Sequence, residues 1–550
     1  MGLRGLGRNR CADILDTPGR TTLGQASLRG KRYAGGCLPD IKKDFKKGRR
    51  PCDASGVKDH DNFMRYGMVD SKGVAPQRQG GLQSSVRPAR DKRMYVIIVL
   101  TCALALVWPL PHTIALRNAL MFVLLVLLMP RTQWALVRQA LTGPARGVVV
   151  FYGLFTLWIV LEAAFVSPFS RWSFSEINGQ WFSAAAALML GLSTATQRNA
   201  QYGRMVCMGV LTVLGIQVLA VDIEGLWTLI AGGASWGHMA RLGGLSAGPG
   251  KASYLTNFFL CGLVADLSLR MNGRRDLGIS TKTLAGLLAL CVVSVYFEAM
   301  RNELFDVGVF VVFIGFVGYL EYAKHAPARA VLVAVASIIV LVGASVVDLV
   351  VDPRWKSLWA TIPIALDTTR HLAWLNGRRF SLPHLPDGRV VSASNYLRIA
   401  WLKEGFREIV AHPLGVGFGR SAFGHALRLR YGNLSGDTGL NNSLITIGIG
   451  TGVPGLVLWV GWFFSLVRFA MRYFAGPTGF YARFLLLVVL AFGVRMAMDN
   501  VMQNYTLEQV LYFVGLLALL CISPASESGA ADLQGAQMVD WGASHKRDER

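Results

Sequence analysis

Long apolar runs limit the folds that this chain can adopt. Several stretches approach the roughly 20 residues that a helix needs to cross the hydrocarbon core of a bilayer. Backbone groups in that core find no water, so such stretches must be helical. The chain is also 53% hydrophobic, with a mean hydropathy of +0.40. The sequence therefore predicts an all-α polytopic membrane helix bundle and excludes a soluble domain.

The apolar runs predict about twelve membrane spans. The runs are 94–110, 113–130, 147–166, 181–196, 203–222, 252–270, 283–299, 303–322, 329–351, 443–467, 482–500 and 505–523. The two that meet around Met300 are either separate spans or one broken helix. The long polar interval 352–442 follows the ninth span and predicts a helical loop domain, with one helix over 363–380 and an amphipathic one over 395–413.

Cations alternate between the loops, and this alternation predicts the orientation. The loops of one side hold Arg131, Arg138, Arg146, Arg198, Arg204, Arg270, Arg274, Arg275, Lys282, Lys324, Arg329, Arg468, Arg472 and Arg483. The short loops of the other side hold Arg171, Arg241, Lys251, Arg301 and Arg495. Because cytoplasmic loops are rich in Lys and Arg, both termini are predicted to be cytoplasmic and 352–442 periplasmic.

The two ends of the chain are polar. Residues 1–93 hold 21 Lys+Arg and 9 Asp without a long apolar run, which predicts a disordered cytoplasmic tail, or an untranslated stretch if Met94 is the start. The tail suits anionic lipid, and it lacks the aromatic interleaving expected of a nucleic-acid partner. Residues 524–550 predict a second loose tail. The bundle itself is divided into 94–351 and 443–523.

Cysteine and histidine spacing predicts no metal site, no cofactor and no structural disulfide. None of the 8 cysteines forms a pair with metal-ligand spacing. The histidines of 352–442 are scattered, without an i,i+4 pair.

The stretch 395–462 combines the features of a binding site at a membrane mouth. Arg398 lies on the predicted amphipathic helix, on a face that is either solvated or used for binding. The glycines of 415–419 form either a structural turn or a backbone nest for an anion. A basic segment and a polar turn follow, with Arg420, His425, Asn441 and Asn442. Several cations and few acids suit a substrate with a lipid tail and a phosphate head.

Cations are uncommon in loops on the outer side of a membrane, so those predicted to lie there require an explanation. Arg301 lies between two spans, where its guanidinium either pairs with Glu298 or Glu303 or binds phosphate in a bidentate fork. Arg241 and Lys251 flank a glycine-rich loop, which is either a plain connection or a binding loop.

Three patches resemble the O-antigen ligase/polymerase superfamily of bacterial membrane glycosyltransferases, over most of 94–523. The first is RLGGLSAGP at 241–249, similar to the family's Arg-x-x-Gly…Pro-Asn loop but followed by Gly250 instead of Asn. The second is Arg301, directly before a span. The third joins Arg398-x-x-Trp401, HPLGVGFG at 412–419, and Asn441-Asn442-Ser443 running into GTGVPG at 450–455.

The resemblance implies transfer or polymerisation of a glycan from a polyprenyl-diphosphate donor at the outer face of the bacterial inner membrane, without a metal. Arg301 and Arg398 would stabilise the departing diphosphate. Asn441, the third expected catalytic residue, stands where the family has its acceptor-activating histidine, and a carboxamide takes up no proton at neutral pH. Either a nearby histidine such as His425 replaces it, or this chain belongs to a branch that does not need that base. The other expected substrate-binding residues are Arg241, Lys251, Arg420, His425 and Asn442.

The acceptor would be a lipid-linked glycan for a polymerase or lipid A-core for a ligase, and the residues leave both open. Two other classes of function also remain. Twelve spans suit a secondary carrier or a flippase for lipid-linked sugars, although the two halves show no repeat. The missing histidine also fits an inactive scaffold of a polysaccharide assembly complex.

Overall fold

The computed structural model describes residues 92–195, 200–232, 241–323, 325–351, 353–434, 436, 440–502 and 504–522. The predictions for the tails up to residue 91 and beyond 522 lie outside them. Within the described ranges the regular elements are helices, apart from an isolated bridge between His384 and Val390. This confirms the all-α fold class.

Each predicted apolar run coincides with a helix. The first part of the bundle contains α1 (Lys92–Val107), α2 (Ile114–Leu128), α3 (Trp134–Thr142), α4 (Arg146–Phe165), α5 (Ser170–Glu176), α6 (Phe182–Ala195), α7 (Ala200–Ile230), α8 (Pro249–Arg270), α9 (Thr281–Glu298), α10 (Arg301–Tyr322) and α11 (Pro327–Val351). The loop segment contains α12 (Pro353–Leu366), α13 (Ala393–Ala411) and α14 (Ala422–Tyr431). The last three helices are α15 (Ser443–Tyr473), α16 (Gly479–Met498) and α17 (Asn504–Ile522).

Among the described residues, 8 helices are long and apolar enough to cross a membrane: α4, α7, α8, α9, α10, α15, α16 and α17. Shorter apolar helical stretches are Ile114–Leu128, which is α2, Pro327–Gly343 within α11, and Ser357–Leu366 within α12. The chain is therefore a polytopic helical membrane protein. The two runs that meet around Met300 are separate helices, α9 and α10.

The centre of the bundle is formed by α8, α16 and α17, whose apolar windows are 94%, 72% and 83% buried. On one side α17 packs against α6 with backbone in contact, since a Cβ on Gly191 would lie 2.2 Å from the Tyr512 carbonyl oxygen. Small residues that allow such close approach are typical of helix packing in membranes.

Helix α15 is broken at Gly452, which has φ 69° and ψ −174° and is followed by Pro454. A break inside a span leaves carbonyl groups that need donors. The loop 413–417 supplies two of them, because the Val416 and Gly417 amides donate to the Ile449 (3.1 Å) and Gly450 (2.9 Å) carbonyls. The glycine-rich loop is therefore built into the bundle.

Two details of the loop segment differ from the sequence predictions. The helix expected over 363–380 is wrong in position, because α12 ends at Leu366. Asp367 there accepts hydrogen bonds from Thr369 and from the Arg370 amide, and such local side-chain bonds compete with a helix.

The amphipathic helix over 395–413 is confirmed as α13. An amphipathic helix is expected to bury its apolar side chains and expose its charged ones, but this pattern is partly reversed in α13. Glu404 and Glu408 are fully buried, whereas Phe406 is 57% and Val410 80% exposed. Glu408, one of these two acids, forms a 2.9 Å ion pair with Arg430, which balances its negative charge. The exposed apolar side chains suit contact with lipid.

Candidate functional site

Arg301 and Arg398 lie together where the start of α10 meets α13. Arg301 Nη1 donates to Asn395 Oδ1 at 3.3 Å, and Arg398 Nη1 donates to Asn302 Oδ1 at 3.2 Å. Arg301 of α10 is thus held by Asn395 of α13, which lies one turn before Arg398. Arg398 of α13 is held by Asn302 of α10, the residue after Arg301. Because a carboxamide is neutral, these contacts fix the guanidinium groups without neutralising them.

A sharp turn between α9 and α10 places Arg301. Ala299 adopts a left-handed conformation with φ 49°, and Met300 is extended. Non-glycine residues take this conformation at a cost of about 1–2 kcal/mol, so the surrounding packing must impose it. The guanidinium of Arg301 also lies over the Trp355 ring of α12, 5.5 Å from its centre.

Arg241 and Lys251 approach the same end of the bundle. Arg241 contacts the sulfur of Met300, the residue before Arg301. Lys251 lies 5.5 Å from the centre of the Tyr505 ring at the start of α17. The structure thus places Arg241 with Arg301 and Arg398, and we call these three residues the arginine cluster. Lys251 is connected to this region through Gly250, the residue before it, since a Cβ on Gly250 would lie 3.4 Å from the Met300 methyl group.

Asn441 and Asn442 have different environments at the start of α15. Asn441 is exposed. Asn442 caps α15, since its Oδ1 accepts from the Ile445 amide at 2.9 Å and its Nδ2 donates to the Ala497 carbonyl at 2.7 Å. Both polar atoms of Asn442 therefore have structural partners, and its predicted role in substrate binding stays a prediction.

A carboxylate that was not predicted, Asp499, connects α15 to the arginine cluster. Its main-chain carbonyl accepts from the Ser443 amide (3.1 Å) and hydroxyl (2.9 Å). One carboxylate oxygen accepts from Asn302 Nδ2 at 3.4 Å. Asn302 therefore bridges Arg398 and Asp499.

His425 lies in a different place, clamped between two aromatic rings. The centres of the Phe169 and Trp172 rings are 4.4 and 4.1 Å from that of His425. Burial lowers the pKa of the His425 imidazole, and the nearby positive charge of Arg428 lowers it further. Both effects favour the neutral form of the imidazole.

Arg420 lies near His425, with its Nε 3.6 Å from Glu176 of α5. Among the described residues, no contact joins Arg420 or His425 to Arg301 or Arg398. The predicted site residues thus fall into two groups, one around the arginine cluster and one around α5.

The contacts of the glycine-rich loop favour one of its two predicted roles, which were a structural turn and a backbone nest for an anion. The Val416 and Gly417 amides already donate to α15, so these two groups are not directed at an anion. Gly415 has φ 100°, and a Cβ there would lie 2.4 Å from the Gly450 carbonyl oxygen. These contacts are those of a structural turn.

Sequence reasoning missed three residues connected to the arginine cluster by hydrogen bonds: Asn302, Asn395 and Asp499. Each is a single polar residue near the end of a helix, where polar residues are common. Asn302 directly follows Arg301, and Asn395 precedes Arg398 by one turn. Proximity to a candidate arginine is the signal that could have identified two of them.

No protein-family model matches the chain, and no curated protein matches it. The resemblance to the O-antigen ligase/polymerase superfamily therefore rests on the three sequence patches.

Proposed function

We propose that the chain is a membrane glycosyltransferase that transfers or polymerises a glycan from a polyprenyl-diphosphate donor at the outer face of the bacterial inner membrane. The observation that carries the proposal is the reciprocal Arg301–Asn395 and Arg398–Asn302 arrangement. It brings together two guanidinium groups from distant parts of the sequence at the end of apolar helices. Guanidinium forks match phosphate oxygens, and apolar helices suit a polyprenyl tail.

In the proposed reaction the acceptor hydroxyl attacks the anomeric carbon, and the bond from that carbon to the diphosphate oxygen breaks. The electron pair goes to the diphosphate, so Arg301 and Arg398 stabilise charge that grows in the transition state. The hydroxyl proton must go to a base, and Asn441 does not accept it. In this proposal the base is Asp499, whose carboxylate accepts a hydrogen bond from Asn302.

The proposal includes a topology of twelve spans, with both termini cytoplasmic and 352–442 in the periplasm. The alternation of cations between loops supports it. A cysteine at Asp387, an exposed loop residue, should react with an impermeant thiol reagent in intact spheroplasts. Labelling only after lysis would overturn the topology.

The surface glycan of a deletion strain tests the function. Loss of only the long glycan chains indicates a polymerase that uses a lipid-linked acceptor. Loss of all capped lipid A-core indicates a ligase. An unchanged glycan, with the protein shown to be expressed in the parent strain, would contradict both. The deletion should be rescued by the wild-type gene and not by the Arg398→Ala gene.

A carrier or flippase for lipid-linked sugars is the second candidate, and the buried acids Glu298, Glu303 and Asp306 favour it. Acids within membrane spans are typical of ion-coupled carriers. The product distinguishes the two classes: a purified transferase forms a new glycosidic bond in detergent, where a carrier has no compartments to connect.

A further inference from the structure

Helix α13 exposes an apolar stripe beside a pair of cations. Leu402, Phe406 and Val410 recur at every fourth residue, and all three side chains are exposed. We call these three residues the apolar stripe. Lys403 and Arg407 are also exposed and lie one turn apart on the neighbouring face, whereas the acids of α13 are buried. An exposed face that is apolar on one side and cationic on the other is typical of a helix in the interface of a membrane.

The apolar stripe continues onto the exposed surface of a membrane span. The Val453 amide, just after the break in α15, donates to the Pro413 carbonyl at 2.8 Å, so the end of α13 is joined to that break. Leu414 and Val453 are both exposed beside this bond. The exposed apolar residues of α15 then follow one face of the helix: Val453, Val457, Val460 and Phe464. Because a span presents such a face to lipid, lipid at the break also reaches the end of α13.

Helix α13 packs along the first part of α15, where lipid would otherwise lie. The Ile445 side chain fills the space that a Cβ on Gly405 would need, and a Cβ on Gly448 would lie 2.6 Å from Ile409. From the first contact to the second, both helices advance towards their carboxyl ends, so they run in the same direction here. Because α15 enters the membrane at Ser443, the carboxyl end of α13 is its deeper end.

The length of α15 indicates how far the hydrocarbon reaches. Arg468 is the first cation towards the far end of α15, about 15 residues or about 22 Å beyond Val453. A hydrocarbon core of about 30 Å that starts at Arg468 therefore extends about five residues past the break, to the level of Gly448. Ile409 contacts Gly448, so this part of α13 lies at the edge of the hydrocarbon. Arg398 lies about three turns nearer the outer end of α13, outside the hydrocarbon.

We propose that α13 is a membrane anchor that does not span the bilayer. Its carboxyl-terminal half enters the leaflet at this end of the bundle obliquely, and the apolar stripe contacts the acyl chains of that leaflet. The cations favour anionic head groups. Lys403 donates to the Leu366 carbonyl at 2.6 Å and keeps two further donors for them. The anchor fixes the height of Arg398 above the acyl chains, a consequence that rests on the proposed function, since a polyprenyl diphosphate carries its phosphates just outside the hydrocarbon.

Photo-crosslinking of the full-length protein in native membranes tests the anchor. The photoreactive residue p-benzoyl-phenylalanine replaces Phe406 or Val410, and irradiation attaches it to a C–H bond that it touches. Phe464, on the exposed face of α15, is the positive control, and irradiation continues until this position gives a lipid adduct. The matched control is Val390, an exposed apolar residue of the same loop segment outside the apolar stripe. Mass spectrometry should find lipid adducts at Phe406 and Val410, and none at Val390.

Fragmentation of the adducts tests the direction of insertion. The attached carbon should lie further along the acyl chain for Val410 than for Leu402, because the carboxyl end of α13 is the deeper end. Equal depths, or the reverse order, would overturn the oblique entry.

Two other results would overturn the anchor itself. A cross-linked dimer at Phe406 instead of a lipid adduct would show that a second copy of the chain covers the apolar stripe. Folded protein without lipid adducts at Phe406 and Val410 would show that the stripe does not reach the leaflet. None of these measurements requires glycosyl transfer, so the glycan phenotype of the deletion strain tests the proposed function separately.

Discussion

The arginine cluster and the segment 412–425, which joins the glycine-rich loop to the first turn of α14 and is called the loop below, both carry family-like residues, but their contacts differ in kind. In the cluster, Arg301 and Arg398 bond to neutral side chains of another helix. In the loop, backbone amides bond to the broken helix α15, and His425 is clamped between rings. The contacts in the cluster hold positive charge in position, whereas the contacts in the loop stabilise the fold. Changes in the loop should therefore affect folding, and changes in the cluster should affect activity at constant abundance.

The largest effect is expected from Gly415→Ala. The left-handed conformation of residue 415 alone costs about 1–2 kcal/mol with a side chain. The new Cβ would also lie 2.4 Å from the Gly450 carbonyl oxygen, so the loop must leave α15. Folded protein in the membrane should fall severely, as measured by abundance and Tm. The control is Gly388→Ala, where φ is 83° but nothing lies within 4 Å. Equal abundance of the two variants would show that the loop is not part of the fold's support.

Arg398→Ala should abolish most of the activity while leaving abundance unchanged. A contact to charge that develops in the transition state is worth on the order of 3 kcal/mol, or roughly a hundredfold in rate. Arg398→Lys should fall between wild type and Ala, because an ammonium cannot form the bidentate fork. Complementation of the deletion strain and glycan synthesis by purified protein measure both variants. The control, Arg378→Ala, changes an exposed arginine of the same segment. Equal activity of the Arg398 and Arg378 variants would refute the diphosphate clamp.

Asn395→Ala should reduce activity by about tenfold, because Arg301 loses the side chain that fixes it, a change of about 1.4 kcal/mol in the barrier. The effect should disappear when Arg301 is already Ala. A double-mutant cycle measures this coupling. Additive effects of the two substitutions would show that Asn395 acts by a route other than Arg301.

The sequence alone predicts the helices well, because a bilayer requires long apolar runs and leaves them few alternatives. It also assigns Arg301 and Arg398 to the same departing diphosphate, although only as an implication of the family-like patches. The asparagines that hold them were not found, since Asn302 and Asn395 meet only in the folded chain. Periodicity within either helix carries no information about a partner on another helix.

The reversed faces of α13 have a related cause. Apolar periodicity predicts which residues avoid water, but in a membrane protein lipid and protein core are both apolar surroundings. Phe406 and Val410 are exposed on the surface of the chain, while Glu408 is buried with Arg430 as its partner. The division of the candidate residues has the same origin. Arg420 and His425 are close to Arg398 in sequence, but Arg420, just before α14, and His425, on α14, both contact α5.

The smallest effect is expected from His425→Gln, and it concerns pH. Burial lowers the pKa of His425, so the fold favours the neutral imidazole, whereas the unfolded chain takes up a proton below about pH 6.5. The contribution of the neutral imidazole to the free energy of unfolding is therefore complete above that pH. It is lost as the pH falls from there through the lowered pKa of the folded state. Glutamine does not titrate, so the stability of His425→Gln should decline less steeply between about pH 7 and pH 5. Because the imidazole is only partly buried, solvent screening keeps the difference below about 1 kcal/mol.

Unfolding midpoints across this pH range measure this difference in stability, and activity at neutral pH should be close to that of the parent. Loss of activity in His425→Gln at unchanged stability would instead place His425 in the chemistry, and would remove the distinction between the loop and the cluster.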